Sequence, residues 1–305
     1  MNKEGPWTES LRKFAEASNL AKTFLALDLD GTALLEDHGK VFISSSVEKG
    51  VKAIHDFQIP VVLNTLRFPM SVINTVGEAW YQIADVPILT VLLNGSVLGY
   101  IKCDDGDLHY EELAAFPMTQ LEITSMLKGV AQLIEDGIDE LLVFFYSRDW
   151  KEGETLWTPK KERVPALRKK FVSASRVFSG SVDELTGELL RREICMASLF
   201  VDRPQDLLMA YQHSKRNSFF TTEGVNKASG LRAVAEKINR SCTESLGAGD
   251  TEMDTFLSEV GFAVIVGGAK LRFRGRQETI RVATPQELGN VLLAYAGFLK
   301  GKVAV

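Results

Sequence analysis

The 305-residue chain has no long apolar run, and no window approaches the ~18 consecutive apolar residues that a membrane-spanning helix needs. It has only three cysteines, Cys103, Cys195 and Cys242, far apart and odd in number. That pattern excludes a disulfide framework and a cysteine-built zinc cluster. The opening MNKEGPWTESLRKF carries no apolar signal core, and with so few cysteines the expectation is a reducing, cytoplasmic setting. There is no basic excess: 35 Lys and Arg against 40 Asp and Glu give a net charge of −5. A general affinity for nucleic acid or an anionic membrane surface is therefore not expected. Internal repeats and low-complexity tracts are absent. The four histidines, His38, His55, His109 and His213, are scattered, and none is assigned a role. What is present is ordinary for a globular chain: 45% apolar and 25% charged residues. At ~150 residues per domain, the length suggests about two domains.

The hydrophobic pattern alternates between strand and helix at both ends of the chain. Trp7 to Asn19 reads as an amphipathic helix. Thr23–Leu27, Ile59–Leu63 and Ile88–Leu93 are short apolar runs bounded by turn residues, as buried strands are. Helical spacing over Ser46–Phe57 and from Pro69 to Trp80 separates them. Strand–helix–strand order implies a parallel sheet with right-handed crossovers. After Gly95 the rhythm changes. Val97–Ile101, Leu108–Leu113, the run LLVFFYS (141–147) and Ile194–Val201 read as strands of a separate unit. Its helices are expected at Met118–Glu135, Lys160–Phe171 and Pro204–His213. The α/β rhythm returns with a helix at Lys227–Ile238, a strand at Ser245–Gly249, a helix at Thr251–Glu259, a strand at Phe262–Val266 and a closing helix at Gln286–Leu299. The expected fold is α/β, a doubly wound and mostly parallel core built from residues 1–96 and 221–305. An α+β unit, residues 97–220, is inserted between them.

Ligands of such sheets bind beyond the carboxyl ends of the strands. Four polar clusters fall there. The first is Asp28-Leu29-Asp30-Gly31-Thr32: two carboxylates two residues apart, with a glycine that permits a turn. Such a pair repels unless a cation or a shared proton is present. It suits magnesium, or a nucleophile beside a general acid. The second is Asn64-Thr65-Leu66-Arg67, whose hydroxyl and backbone amide can hold a phosphate oxygen. The third is Lys227, at a helix start where the dipole disfavours a cation, so an anionic partner is expected. The fourth is Gly249-Asp250-Thr251-Glu252-Met253-Asp254. Its two acids, four residues apart, share one helical face and call for a cation nearby.

Taken in order, these clusters resemble the four motifs of the haloacid dehalogenase superfamily of phosphohydrolases. Asp28-x-Asp30-Gly31-Thr32 matches the first, Thr65 the second, Lys227 the third and Gly249-Asp250-x-x-x-Asp254 the fourth. The insertion after Asn94-Gly95 is similar to the large α/β cap of the Cof-like branch. The resemblance implies a nucleophilic Asp28 that forms an aspartyl-phosphate. It implies Asp30 as general acid and base, and Lys227, Thr65 and Leu66 around the phosphoryl oxygens. It also implies Mg2+ held by Asp28, the Asp30 carbonyl and Asp250. Asp254 is implied to orient Lys227 or a metal-bound water, with Arg67 and Asn94 in supporting positions. The implied partner is a small phosphorylated metabolite, in the sugar-phosphate class, and neither nucleic acid nor membrane. Oligomeric state is left open.

Two positions depart from the family pattern. Leu66 stands where Gly is usual, and Met253 where Asn is usual. Three other readings share the same residues: a phosphomutase on this scaffold, a receiver-type phospho-acceptor module, and a weakly catalytic phosphometabolite sensor. A receiver has no place for the large insertion. Outside the motifs, Lys270–Arg281 carries five basic residues and reads as a solvated edge or an anion-steering segment. Arg148, Trp150, Lys151 and Trp157 form a candidate sugar-phosphate loop in the inserted unit.

Overall fold

The computed structural model describes residues 7–37, 40–138, 140–201 and 218–303. The chain divides into two compact units. The first takes the residues up to Arg67, Val72–Leu113 and those from Asn226 on. The second takes Phe68–Ser71 and Ala114–Val225.

The first unit is built on an eight-stranded sheet. Its strands are β1 (Leu25–Leu27), β4 (Val61–Asn64), β5 (Ile88–Leu92), β6 (Val97–Asp104), β7 (Asp107–Ala115), β13 (Leu246–Gly249), β14 (Phe262–Val266) and β15 (Glu278–Val282). They lie in the order β15-β14-β13-β1-β4-β5-β6-β7. From β15 to β5 every pairing is parallel. β1, β5 and β14 are buried along their whole length, which is why they read as apolar runs, and the small residues of β13 are buried as well. β1 lies between β13 and β4, strands from opposite ends of the sequence. The strand order therefore reverses at β1–β13, the topological switch point where open α/β sheets bind ligands. The helices Ser45–His55, Lys227–Lys237 and Pro285–Val303 follow the expected segments. Between β1 and the first of these, a short antiparallel ribbon, β2 (Leu34–Asp37) with β3 (Lys40–Ile43), was not foreseen.

Two expectations about this unit need correction. The first is the boundary at residue 97. β6 turns back antiparallel onto β5, and β7 extends the same sheet, so both strands belong with the first unit. The Asp105-Gly106 turn between them has positive φ at both residues, the backbone a two-residue hairpin demands. The second is the helix at Thr251–Glu259. The chain forms turns at 251–253 and only a short 3-10 segment, Thr255–Ser258. The Asp254 carboxylate bonds back to the Asp250 and Thr251 amides, a local alternative that competes with helix formation.

The second unit has a five-stranded sheet in the order β10-β9-β8-β11-β12. Its strands are β8 (Leu141–Ser147), β9 (Glu154–Thr158), β10 (Ala174–Ser179), β11 (Ile194–Val201) and β12 (Ser218–Phe220). All pairings are antiparallel except β9–β10. β8 is apolar on both faces because both are covered. Leu141, Val143 and Phe145 join Trp157 and the helices Gln120–Glu135 and Val182–Leu190. Leu142 and Phe144 join Leu156 and Leu167 on the other face. Both long helices begin with a reciprocal capping box, Thr119 with Glu122 and Ser181 with Glu184. The expected helix at Pro204–His213 lies outside the described residues. Among the described residues, no helix is long and apolar enough to cross a membrane.

Candidate active site

β1 ends at Leu27, and the Asp28 amide still donates to the Ala248 carbonyl of β13. The chain then leaves the sheet in a tight turn over Leu29–Ala33, in which Gly31 takes φ 75°. A Cβ at Gly31 would lie 2.3 Å from Asp250 Oδ2, so this glycine is needed both for its backbone and for the close approach of Asp250. The turn carries the Asp28 side chain into the buried space at the switch point, where it is 5% exposed.

Lys227 is the first residue of its helix, capped by Asn226, whose side chain accepts from the Ala228 and Ser229 amides. The Lys227 ammonium donates to Asp28 Oδ1 and to Asp254 Oδ1, both at 2.6 Å. It is 2% exposed and has the two anionic partners that its unfavourable helix position called for. Asp254 is fully buried and saturated: its second oxygen accepts from the Asp250 and Thr251 amides, both at 2.8 Å. Asp250 and Asp28 meet through Thr32, whose hydroxyl lies 3.0 Å from Asp250 Oδ1 and 3.2 Å from Asp28 Oδ2. The sequence marks Thr32 only as part of the first motif. Its position four residues beyond Asp28, after a turn glycine, was the available signal.

Three carboxylates and one ammonium leave this cluster short of positive charge. Burial pushes the Asp28 carboxyl up to about 7, against the pull of Lys227, and Asp254 and Asp250 add to the rise. Burial and Asp254 also raise Asp250. Burial works against the Lys227 ammonium, but Asp28 and Asp254 outweigh it and hold its pKa above the ordinary lysine value. A cation would relieve the imbalance. Asp28, Asp250 and Asp254 each offer an oxygen within 4.8 Å of the others. Asp254 accepts from two main-chain amides besides Lys227, whereas Asp28 Oδ2 and Asp250 Oδ1 share only the Thr32 hydroxyl, so Asp28 and Asp250 are the side chains better able to turn to a divalent ion.

Asp30 does not join this cluster. Its carboxylate turns outward, 57% exposed, and is gripped from both sides by Arg67, Nε to Oδ2 at 2.8 Å and Nη2 to Oδ1 at 2.6 Å. Arg67 also donates to Thr75 Oγ1 at 2.9 Å. Thr65 is buried at the tip of β4; its amide donates to the Val91 carbonyl, and its hydroxyl accepts from the Arg67 amide. Leu66 is half-buried beside it. Asn64, the last residue of β4, donates to the Lys227 carbonyl at 3.0 Å and ties the second motif to the third. Asn94 sits after β5 with φ 58°, its side-chain oxygen buried without a partner. Gly95 follows, and a Cβ there would strike the Asn226 carbonyl at 2.2 Å. In the second unit, Trp157 is fully buried in the core and cannot serve the candidate sugar loop. Arg148 pairs with Glu193, and Lys151 lies over the Trp150 ring.

The sequence matches no family model and no curated protein. Solved structures match it across nearly the whole chain. One is a HAD subclass IIB sugar phosphatase, with 17% identity and a TM-score of 0.62, covering 93% of this chain and all of the other. Another is a HAD phosphatase from Bacteroides thetaiotaomicron, with 18% identity and a TM-score of 0.61, covering 91% and 95%. A HAD/COF-like hydrolase from Plasmodium vivax has 15% identity and a TM-score of 0.67, covering 96% and 99%. The chain has the haloacid dehalogenase fold. Within that fold, both segments of the doubly wound core and the inserted α+β unit are present.

Proposed function

We propose that the protein is a magnesium-dependent phosphomonoesterase acting on a small phosphorylated metabolite, of the sugar-phosphate class, through an aspartyl-phosphate on Asp28. The observation that carries this reading is the setting of Asp28. Its carboxylate lies at the switch point of the sheet, held between Lys227 and Thr32, with Asp250 beside it. The sugar-phosphate class is supported by the subclass IIB sugar phosphatase of the same fold.

A carboxylate oxygen of Asp28 attacks phosphorus, and the bond to the leaving alkoxide breaks. Water then hydrolyses the acyl phosphate and returns the carboxylate, so one difficult displacement becomes two easier ones. Lys227 holds Asp28 in place and presents positive charge toward the transferring phosphoryl oxygens, with Thr65 and the Leu66 amide at the tip of β4 completing the cradle. Asp254 fixes the ammonium and takes no part in bond making. Magnesium, when held by Asp28, Asp250 and the Asp30 carbonyl, supplies the charge neutralisation that lets an anion approach an anion. Asp30 gives a proton to the leaving oxygen and later takes one from water. To do so, it must exchange its contacts with Arg67 for contacts with the reacting groups. Substrate selection is assigned to the inserted second unit, which corresponds in sequence to the cap of the Cof-like branch.

The test is phosphate release from a panel of sugar phosphates, nucleotides and other phosphomonoesters, with magnesium, with chelator and with Asp28→Asn. Release that needs the metal and is lost in the variant supports the reading. Interconversion of sugar phosphates without release would replace it with a mutase.

A further inference from the structure

The segment after β14 leaves the sheet at the same edge as Asp28, Thr65 and Asp250, because β1, β4, β13 and β14 are parallel neighbours or share a parallel partner. It returns to enter β15 at Glu278, opposite Phe262 at the far edge. Along the way exposure alternates. Arg272, Arg274 and Arg276 face solvent, while Leu271, Phe273 and Gly275 are half-buried. The segment is therefore an extended ribbon with a row of cations on its outer side.

Arg276 reaches Glu259 at 3.5 Å. Among the described residues, no carboxylate pairs with Lys270, or with the side chains of Arg272 and Arg274. Elsewhere in the chain exposed arginines are commonly answered, as Arg12 is by Glu9 and Glu16, and Arg232 by Glu259. The ribbon is fastened to the catalytic loop: the Arg272 amide donates to Glu252 Oε1 at 3.1 Å, and Glu252 lies two residues beyond Asp250. In a chain of net charge −5, residues 270–281 hold five cations and one acid. A site whose own carboxylates repel an anionic substrate gains most from unpaired positive charge at its rim.

We infer that Lys270 and Arg272 form an anion subsite beside the catalytic loop, and that it takes the second phosphate of a doubly phosphorylated substrate. This inference rests on the phosphatase reading of the Asp28 site. The probes are a hexose bisphosphate and the matching hexose monophosphate, titrated calorimetrically into the Asp28→Asn protein with magnesium. The bisphosphate is expected to bind about tenfold more tightly, the sum of a few exposed ion pairs. The added substitutions Lys270→Gln and Arg272→Gln reduce that preference to within about twofold. A control with Lys49→Gln and Lys128→Gln, of the same net charge, keeps it. Equal affinity for the two sugars, no binding of either, or equal loss in the control overturns the subsite. Because binding needs no turnover, phosphate release by the unmodified protein judges the phosphatase reading separately. Release without a bisphosphate preference would sink the subsite alone, and preference without release would sink the phosphatase alone.

Discussion

Asp28 and Asp30 are two residues apart and live in opposite surroundings. Asp28 is buried, its oxygens shared between a buried ammonium and a threonine hydroxyl, and burial holds its carboxyl near 7. Asp30 is largely exposed and clasped by a guanidinium. Between them Leu29 takes helical backbone while Asp28 and Asp30 are both extended, and this kink sends the two acids to different sides of the chain. The same side chain can thus serve two roles: a fixed nucleophile needs a rigid, charge-matched pocket, and a proton carrier needs room to move.

The comparison is broken most severely by removing the cation on the buried side. Lys227→Met leaves Asp28 and Asp254 buried without a cationic partner and is expected to cost about 3–5 kcal/mol, read from urea unfolding. A loss within ~1 kcal/mol would mean the cluster is not held as described.

The next effect is linked to pH. The Asp28 carboxyl rises from 3.8 to about 7 on folding without metal, so between about pH 4 and 7 the folded protein holds more protons than the unfolded chain. This group's contribution to stability therefore falls as pH rises through that window. Magnesium needs the ionised carboxylate, so its stabilisation should grow across the same window, to about 2.7 kcal/mol at a hundredfold excess over its Kd. Thermal melts with and without magnesium, at about pH 5 and about pH 8, check the sign; a larger shift at the lower pH contradicts it.

Gly31→Ala strains a positive-φ position and pushes on Asp250. It should cost about 1–2 kcal/mol and weaken magnesium binding in a calorimetric titration. On the exposed side, Arg67→Ala removes a pair whose acid is mostly in water. Its stability cost should stay under about 1 kcal/mol. A stability loss as large as that of Lys227→Met would erase the distinction between the two acids.

Much of this was legible in the sequence, and the reasons differ by region. β1, β5 and β14 are buried on both faces, so they appear as apolar runs that end at polar tips, and the four clusters lie at or beside those tips. Lys227 was legible because a cation at a helix start needs an explanation. The Asp254 turn was not, because an acid four residues after another looks alike whether it lies on a helix or bonds back to two amides. The outward turn of Asp30 follows from the helical kink at Leu29 and the grip of Arg67, and spacing alone does not report it. β6 and β7 were assigned to the wrong unit because a hairpin pattern does not say which sheet it joins. β9 and β10 lie in a mixed sheet whose alternation is broken by polar residues such as Glu154 and Ser175, and they gave no run to read.

The most direct test of the central claim is chemical trapping on Asp28. The protein is mixed with p-nitrophenyl phosphate and magnesium, quenched rapidly in acid, digested and analysed by mass spectrometry. The account predicts that the peptide containing Asp28 carries one added phosphoryl group, which disappears with chelator and in Asp28→Asn. Turnover with no phosphorylated peptide, or with the phosphoryl group on another residue, would contradict it.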